Sequence, residues 1–194
     1  MTQLPDSLDS DPIKSGKDKP AYNDEDLICE SSQIFDQSKV NDFFNLKVGE
    51  RGKLVSLLKE LKSKGFDKIS LELSKNPVKA RKAISSYAFL TDCLVTSAWK
   101  FATEIQFPSH NPTEAEKLSI ISVGGYGRRE MAPFSDVDLL FLTPYKMAPW
   151  SENVIETVLY LLWDLKLKVG HSSRSIKDCL RLGSDDYTIR TAML

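Results

Sequence analysis

The sequence predicts an α/β (α+β) chain in which a helical segment precedes a short mixed sheet. Three observations carry this. Apolar residues recur at helical spacing from Val40 to Ile105. Beyond Pro112 the pattern changes to short apolar runs, Leu118–Val123 and Val137–Leu142. Glycine-rich and proline-rich stretches separate these runs. The 194 residues suit one domain with appendages.

Residues 1–34 are rich in Asp, Ser, Lys and Pro without periodicity, and read as a loosely ordered tail. They contain no apolar h-region and so no secretory signal. Residues 35–112 form the helical segment. Val40, Phe43, Phe44, Leu54, Leu57, Leu58 and Leu61 set a first helical run, with Lys64-Gly65 as its stop. A second run from Pro77 to about Gln106 carries Val78, Ile84, Tyr87, Leu90, Leu94, Trp99, Phe101 and Ile105. Phe107–Pro112 breaks it. The lysine-rich stretch from Lys53 to Lys68 reads as a solvated helix face.

Residues 113–194 form the core domain. Leu118–Val123 predicts a strand that ends in Gly124-Gly125, and Val137–Leu142 a second strand closed by Thr143-Pro144. Trp150–Leu165 predicts a helix through Val154, Val158, Leu161, Leu162 and Leu165, with Trp163 in the core. Leu167–Ser175 predicts a third strand, with His171 as a structural histidine. Ser175 and Asp178 have capping-box spacing. The segment from Asp185 begins like a helix and reaches Met193-Leu194 without a cap, as expected of a truncated core.

Composition excludes several classes. Net charge is −1, which argues against a nucleic-acid partner. No apolar run reaches the roughly 18 residues of a membrane span. The three cysteines, Cys29, Cys93 and Cys179, have no paired spacing, which fits a reducing compartment and a cytoplasmic protein.

The chemistry concentrates between Ile120 and Leu142. Asp136 and Asp138 are two apart, so on a strand both carboxylates share one face. Their repulsion and desolvation are offset by a bound cation, ordinarily divalent. Gly124-Gly125 brings bare backbone close to a ligand, and a following helical turn favours phosphate. Arg128 and Arg129 supply cationic donors nearby. A phosphate cradle beside a carboxylate pair is equipment for phosphoryl or nucleotidyl transfer. No P-loop is present, since Lys-Ser or Lys-Thr does not follow the glycines, and the dinucleotide fingerprint does not fit.

Gly-Gly-Tyr-Gly-Arg, then Pro-x-Ser-Asp-x-Asp-Leu-Leu, resembles the nucleotidyltransferase core shared with DNA polymerase β. With Leu162-Trp163-Asp164 and Val169-Gly170-His171-Ser172-Ser173-Arg174, it resembles more narrowly the bacterial PII uridylyltransferases, bifunctional uridylyltransferase/uridylyl-removing enzymes of nitrogen signalling. The matching blocks cover roughly residues 115 to 190.

The resemblance implies that Asp136 and Asp138 bind Mg²⁺ and are catalytic. It implies that Gly124, Gly125, Arg128 and Ser135 hold the UTP triphosphate. The uridylyl group would pass to a tyrosine of the PII signalling protein with release of pyrophosphate. The superfamily carries a third carboxylate on a later strand; Asp178, Asp185 and Asp186 are candidates by position and also read as helix-terminal acids. The family's His-Asp uridylyl-removing domain and ACT sensing domains have no counterpart here, since His110 precedes Asn111 and His171 precedes Ser172. Two other readings stay open: a related nucleotidyltransferase acting on a small molecule or RNA, and an inert truncated module that binds nucleotide or a partner.

Overall fold

The computed structural model describes residues 22–46, 50–109, 113, 116–145 and 147–192, without the side chains of Thr188 and Ala192. Order within them begins earlier than the composition implies. Tyr22, Leu27, Ile28 and Ile34, placed with the tail by their polar surroundings, are all buried. A 3₁₀ turn at Asp24–Asp26 leads to α1 (Ser31–Ile34) and α2 (Gln37–Asn45). The Asp36 side chain starts α2 by accepting from the Ser38 amide.

Helix α3 spans Arg51–Lys75 and does not stop at Gly65. The expected stop was a packing site. A Cβ on Gly65 would strike the Ile34 carbonyl oxygen and crowd the Leu90 side chain. The glycine thus lets α1 and α4 approach α3, and helical hydrogen bonding continues past it. After a 3₁₀ turn at Pro77–Lys79, α4 (Ala80–Lys100) packs against α3 and ends in a π-helical turn at Phe101–Gln106. Val78, counted with the apolar stripe, lies in the 3₁₀ turn and is exposed. The Trp150 indole donates to the Phe107 carbonyl and ties this turn to the next helix.

The sheet has three strands in the order β1 (Ser119–Ser122), β2 (Val137–Thr143), β3 (Val169–Ser175). β1 pairs antiparallel with β2 and β3 pairs parallel with it, so β2 is central. A parallel neighbour needs a crossover, which α6 (Pro149–Asp164) supplies. A single helical turn, α5 (Gly124–Gly127), follows β1; α7 (Ile176–Asp185) and α8 (Tyr187–Ala192) follow β3. The expected capping box is present at α7: Ser175 Oγ accepts from the Asp178 amide, and Asp178 accepts from Ser175.

Alternation along β2 gives the sheet two unlike faces. Val137, Leu139 and Phe141 are at most 2% exposed and meet the helical core. Asp138 points the other way. On α6, Val154, Val158, Leu161, Leu162 and Leu165 are buried as their spacing requires. Trp163 is not: it is 43% exposed, off the buried stripe, and meets Tyr160 and His171 edge-on. Among the described residues no helix is long and apolar enough to cross a membrane.

Candidate active site

Strand β2 delivers Asp138 to the sheet interior by register. Its strand partner on β3 is Gly170, and its carbonyl accepts from the Val123 amide at the end of β1, 3.0 Å away. The half-buried carboxylate therefore sits between two glycines. A Cβ on Gly124 would lie 3.0 Å from Oδ2, and one on Gly170 would lie 2.5 Å from Oδ1. A side chain at either position would crowd the carboxylate. Asp136, two residues earlier and just before β2, is exposed on the same side.

The glycine turn has the conformation its composition demands. Gly124 has φ +61°, which L residues rarely adopt. The chain then makes one helical turn, closed by Gly127 N–H to the Val123 carbonyl and Arg128 N–H to the Gly124 carbonyl. The amides of Gly124, Gly125 and Tyr126 have no backbone acceptor among the described residues, as at any helix start. A Cβ on Gly127 would be 2.6 Å from the Ser122 carbonyl oxygen, so the third glycine lets the turn fold back on β1.

A network unread in the sequence holds this turn. The buried Tyr126 hydroxyl donates to Asp92 Oδ1 of α4 at 2.5 Å, and Tyr22 donates to Oδ2 at 2.8 Å. Arg129 lies over the Tyr22 ring, 4.3 Å from its centroid. Burial raises the Asp92 pKa above the usual aspartate value; the hydrogen bonds from Tyr126 and Tyr22 and the Arg129 charge work against that rise. Burial, then the Asp92 charge and hydrogen bond, push the Tyr126 hydroxyl well above its ordinary value. Two tyrosine donors on one buried carboxylate fix the turn relative to the helical segment.

The other expected site residues are distributed as follows. Gly125 is half-buried within α5, where a Cβ would meet the Glu130 carbonyl oxygen at 3.3 Å. Arg128 is half exposed and pairs with Glu130 at 3.3 Å. Ser135 is half-buried, and its amide donates to the Ala132 carbonyl. Asp178 is committed to the α7 cap and to Arg181, and Asp185 and Asp186 lie at the end of α7. Among the described residues no group of three His, Cys, Asp or Glu side chains is disposed to hold a metal ion. Asp136 and Asp138 are the carboxylates that could hold a divalent cation, which takes hard oxygen donors.

A family model described as glutamate-ammonia ligase adenylyltransferase matches residues 29–160, a span that includes β1, the glycine turn and the carboxylate strand. The chain belongs to this adenylyltransferase family. It is also similar to proteins named bifunctional uridylyltransferase/uridylyl-removing enzyme. One from Ruegeria pomeroyi is 54% identical over 144 residues, covering 74% of this chain and 16% of that protein. One from Cereibacter sphaeroides is 50% identical over 177 residues, covering 87% and 19%. One from Caulobacter vibrioides is 46% identical over 147 residues, covering 75% and 15%. The chain spans less than a fifth of the length of these curated relatives. No solved structure matches it significantly. Family and relatives are both named as nucleotidyl-transferring enzymes.

Sequence reasoning passed over two residues of this site. Gly170 stood inside the Val-Gly-His-Ser block, yet only the β2–β3 register reveals that it faces Asp138. Asp92 has no motif around it; a tyrosine hydroxyl in a turn between two apolar strands was the signal that a buried acceptor exists.

Proposed function

We propose that this chain carries the transferase region of a uridylyltransferase with a polymerase β-like core. In this reading a tyrosine hydroxyl of the PII signalling protein attacks the α-phosphorus of UTP. A new oxygen–phosphorus bond forms, the bond to the pyrophosphate leaving group breaks, and the tyrosine proton is lost to solvent or a base. The observation that carries the reading is the Asp138 carboxylate held between Gly124 and Gly170, with Asp136 beside it. The relatives' names favour uridylyl as the group transferred.

Asp136 and Asp138 would hold Mg²⁺, which when bound neutralises triphosphate charge and assists the attacking oxygen. The protein's own contribution is positional. Free amides of the glycine turn would donate to the phosphates, and Gly124 would allow the close approach. Arg128 would exchange Glu130 for a phosphate oxygen, a trade its exposed ion pair makes inexpensive. Ser135 would add a hydroxyl donor at the strand head. We read the protein as cytoplasmic, with no nucleic-acid or membrane partner.

The family's name favours a second reading, adenylyl transfer from ATP. One experiment covers both: incubate the chain and Mg²⁺ with PII and glutamate-ammonia ligase as acceptors and labelled UTP or ATP, beside Asp136→Ala. Uridylyl label on PII that vanishes in the variant supports the proposal. Label from ATP alone supports the second reading. Nucleotide binding without transfer supports an inert module, and absence of both rejects the site.

A further inference from the structure

Opposite the carboxylates lies a cavity of about 410 Å³ that shares only Ser135 with the residues of the transferase reading. Val137 stands between Asp136 and Asp138 and lines it, so alternation along the strand puts the cavity on the other face. Its volume is in the range of small-molecule sites. Tyr87, Leu90, Leu94 and Met131 give it an apolar interior. Phe134 stands over the mouth, 79% exposed, with its ring 5.0 Å from Phe66, which in turn lies 5.1 Å from Tyr87.

The rim is cationic. Lys59, Lys62, Lys166 and Lys168 all line the cavity, against the single carboxylate of Asp67. Among the described residues none of these four lysines forms an ion pair. Elsewhere on α3 the lysines are paired: Lys53 with Glu50, Lys64 with Glu60, and Lys68 and Lys75 with Glu72. Lys62 is turned inward and donates to the Leu165 carbonyl at 2.6 Å. Of the lysine stretch that reads as a solvated face, Lys62 turns to this cavity, while Lys59 stays exposed at its rim.

Two rim residues are left-handed: Phe134 and Lys166 have φ of 66° and 59°. Lys166 caps α6, its N–H donating to the Trp163 carbonyl and that of Leu167 to the Leu162 carbonyl. Both lie on the segments that border the mouth, residues 131–135 and 165–168.

We infer that this cavity is a second binding site, separate from the carboxylates, for a small organic anion with an aromatic or planar apolar body. The ring enters between Phe134 and the Tyr87–Leu94 wall, and the acid group, a carboxylate, phosphate or sulfonate, meets the lysines. An apolar cavity alone would take a neutral ligand equally well. The unpaired ammonium groups make it select for charge.

The test uses two fluorescent probes on the intact chain: 8-anilinonaphthalene-1-sulfonate and its neutral analogue N-phenyl-1-naphthylamine. The sulfonate is expected to bind saturably and roughly tenfold or more tighter than the neutral probe, a difference that shrinks as salt screens the rim. Lys62→Met with Lys166→Met should bring the sulfonate down to the neutral probe's affinity while the protein still melts cooperatively. Ala132→Trp at the mouth should weaken both probes. Leu180→Ser, on the exposed apolar side of α7, should change neither. Equal affinity of the two probes for the unmodified chain would overturn the inference, a comparison that needs no variant to fold. Absence of saturable binding, or binding abolished by Leu180→Ser, would overturn it as well.

Discussion

Replacing Gly170 by alanine adds one methyl group at the site and tests the placement of Asp138 directly. The new Cβ would lie 2.5 Å from Asp138 Oδ1, whereas ordinary contact begins near 3.4 Å, so the carboxylate must retreat by about 0.9 Å. The carboxylate ends a side chain, so it makes this move by rotating away from Gly170, and a cation held there would be displaced with it. A misplacement of about 1 Å in a reacting constellation costs on the order of a hundredfold in rate. That corresponds to about 2.7 kcal/mol of barrier. The fold should not suffer: Gly170 is exposed on β3, and alanine in a strand is favoured over glycine by about 0.5–1 kcal/mol. The expected result is therefore a divalent-cation affinity lowered at least tenfold, read by Mn²⁺ titration with electron paramagnetic resonance, and transfer lowered about a hundredfold. The melting temperature should stay constant or rise. Unchanged Mn²⁺ affinity and transfer in a folded Gly170→Ala protein would refute the argument that the glycine pair positions Asp138.

Tyr126→Phe leaves Asp92 with one donor in place of two and should destabilise the chain by about 1–3 kcal/mol, measured by urea unfolding. Gly65→Ala drives a methyl into the Ile34 carbonyl and should lower stability by roughly 1–3 kcal/mol despite alanine's better helix propensity; a stabilised variant would show that α1 can move away. The pH dependence follows from Asp92. Its folded-state pKa is raised, so between the ordinary aspartate pKa of about 3.9 and the raised value the folded form holds more protons than the unfolded. Its contribution is fully favourable below that window and is lost as pH rises through it. Asp92→Asn should remove this loss, so that the unfolding free energy of the parent falls relative to the variant as pH rises from 4; parallel curves would contradict it. The exposed Asp178 has the opposite sign: its hydrogen bonds with Ser175 lower its pKa, so its stabilisation fades as pH falls.

Local signals carried most of the secondary structure. The change from helical to strand patterning after residue 112 and the capping box at Ser175 are properties of neighbouring residues, and the chain obeys them. The departures arise where a residue answers to a distant one. Gly65 reads locally as a terminator, but the Ile34 carbonyl and Leu90 determine its role. Trp163 has the composition of a core residue, yet α6 buries a stripe that excludes it. Residues 22–34 look polar on average, but Tyr22, Leu27 and Ile28 suffice to pack them down. In the site, the spacing of Asp136 and Asp138 and the glycine pair were legible as chemistry. Their arrangement was not, because it depends on strand register and on a carboxylate from α4. The two faces of β2 follow from alternation, but the cavity behind Val137 depends on how α3 and α4 stand off from the loops.

The pairing of Asp138 with Gly170 also bears on the order in which the chain folds. The two residues lie on opposite sides of the α6 crossover, whereas α3 and α4 are joined by four residues, 76–79. Contacts close in sequence incur little loop-closure entropy and form early; the parallel strand pair must wait for the crossover helix to dock. The α3–α4 hairpin can thus exist while Asp138 still lacks one wall of its cradle. Cation binding would then report on completion of the last long-range strand pairing, and in a refolding experiment it should recover more slowly than helical circular dichroism.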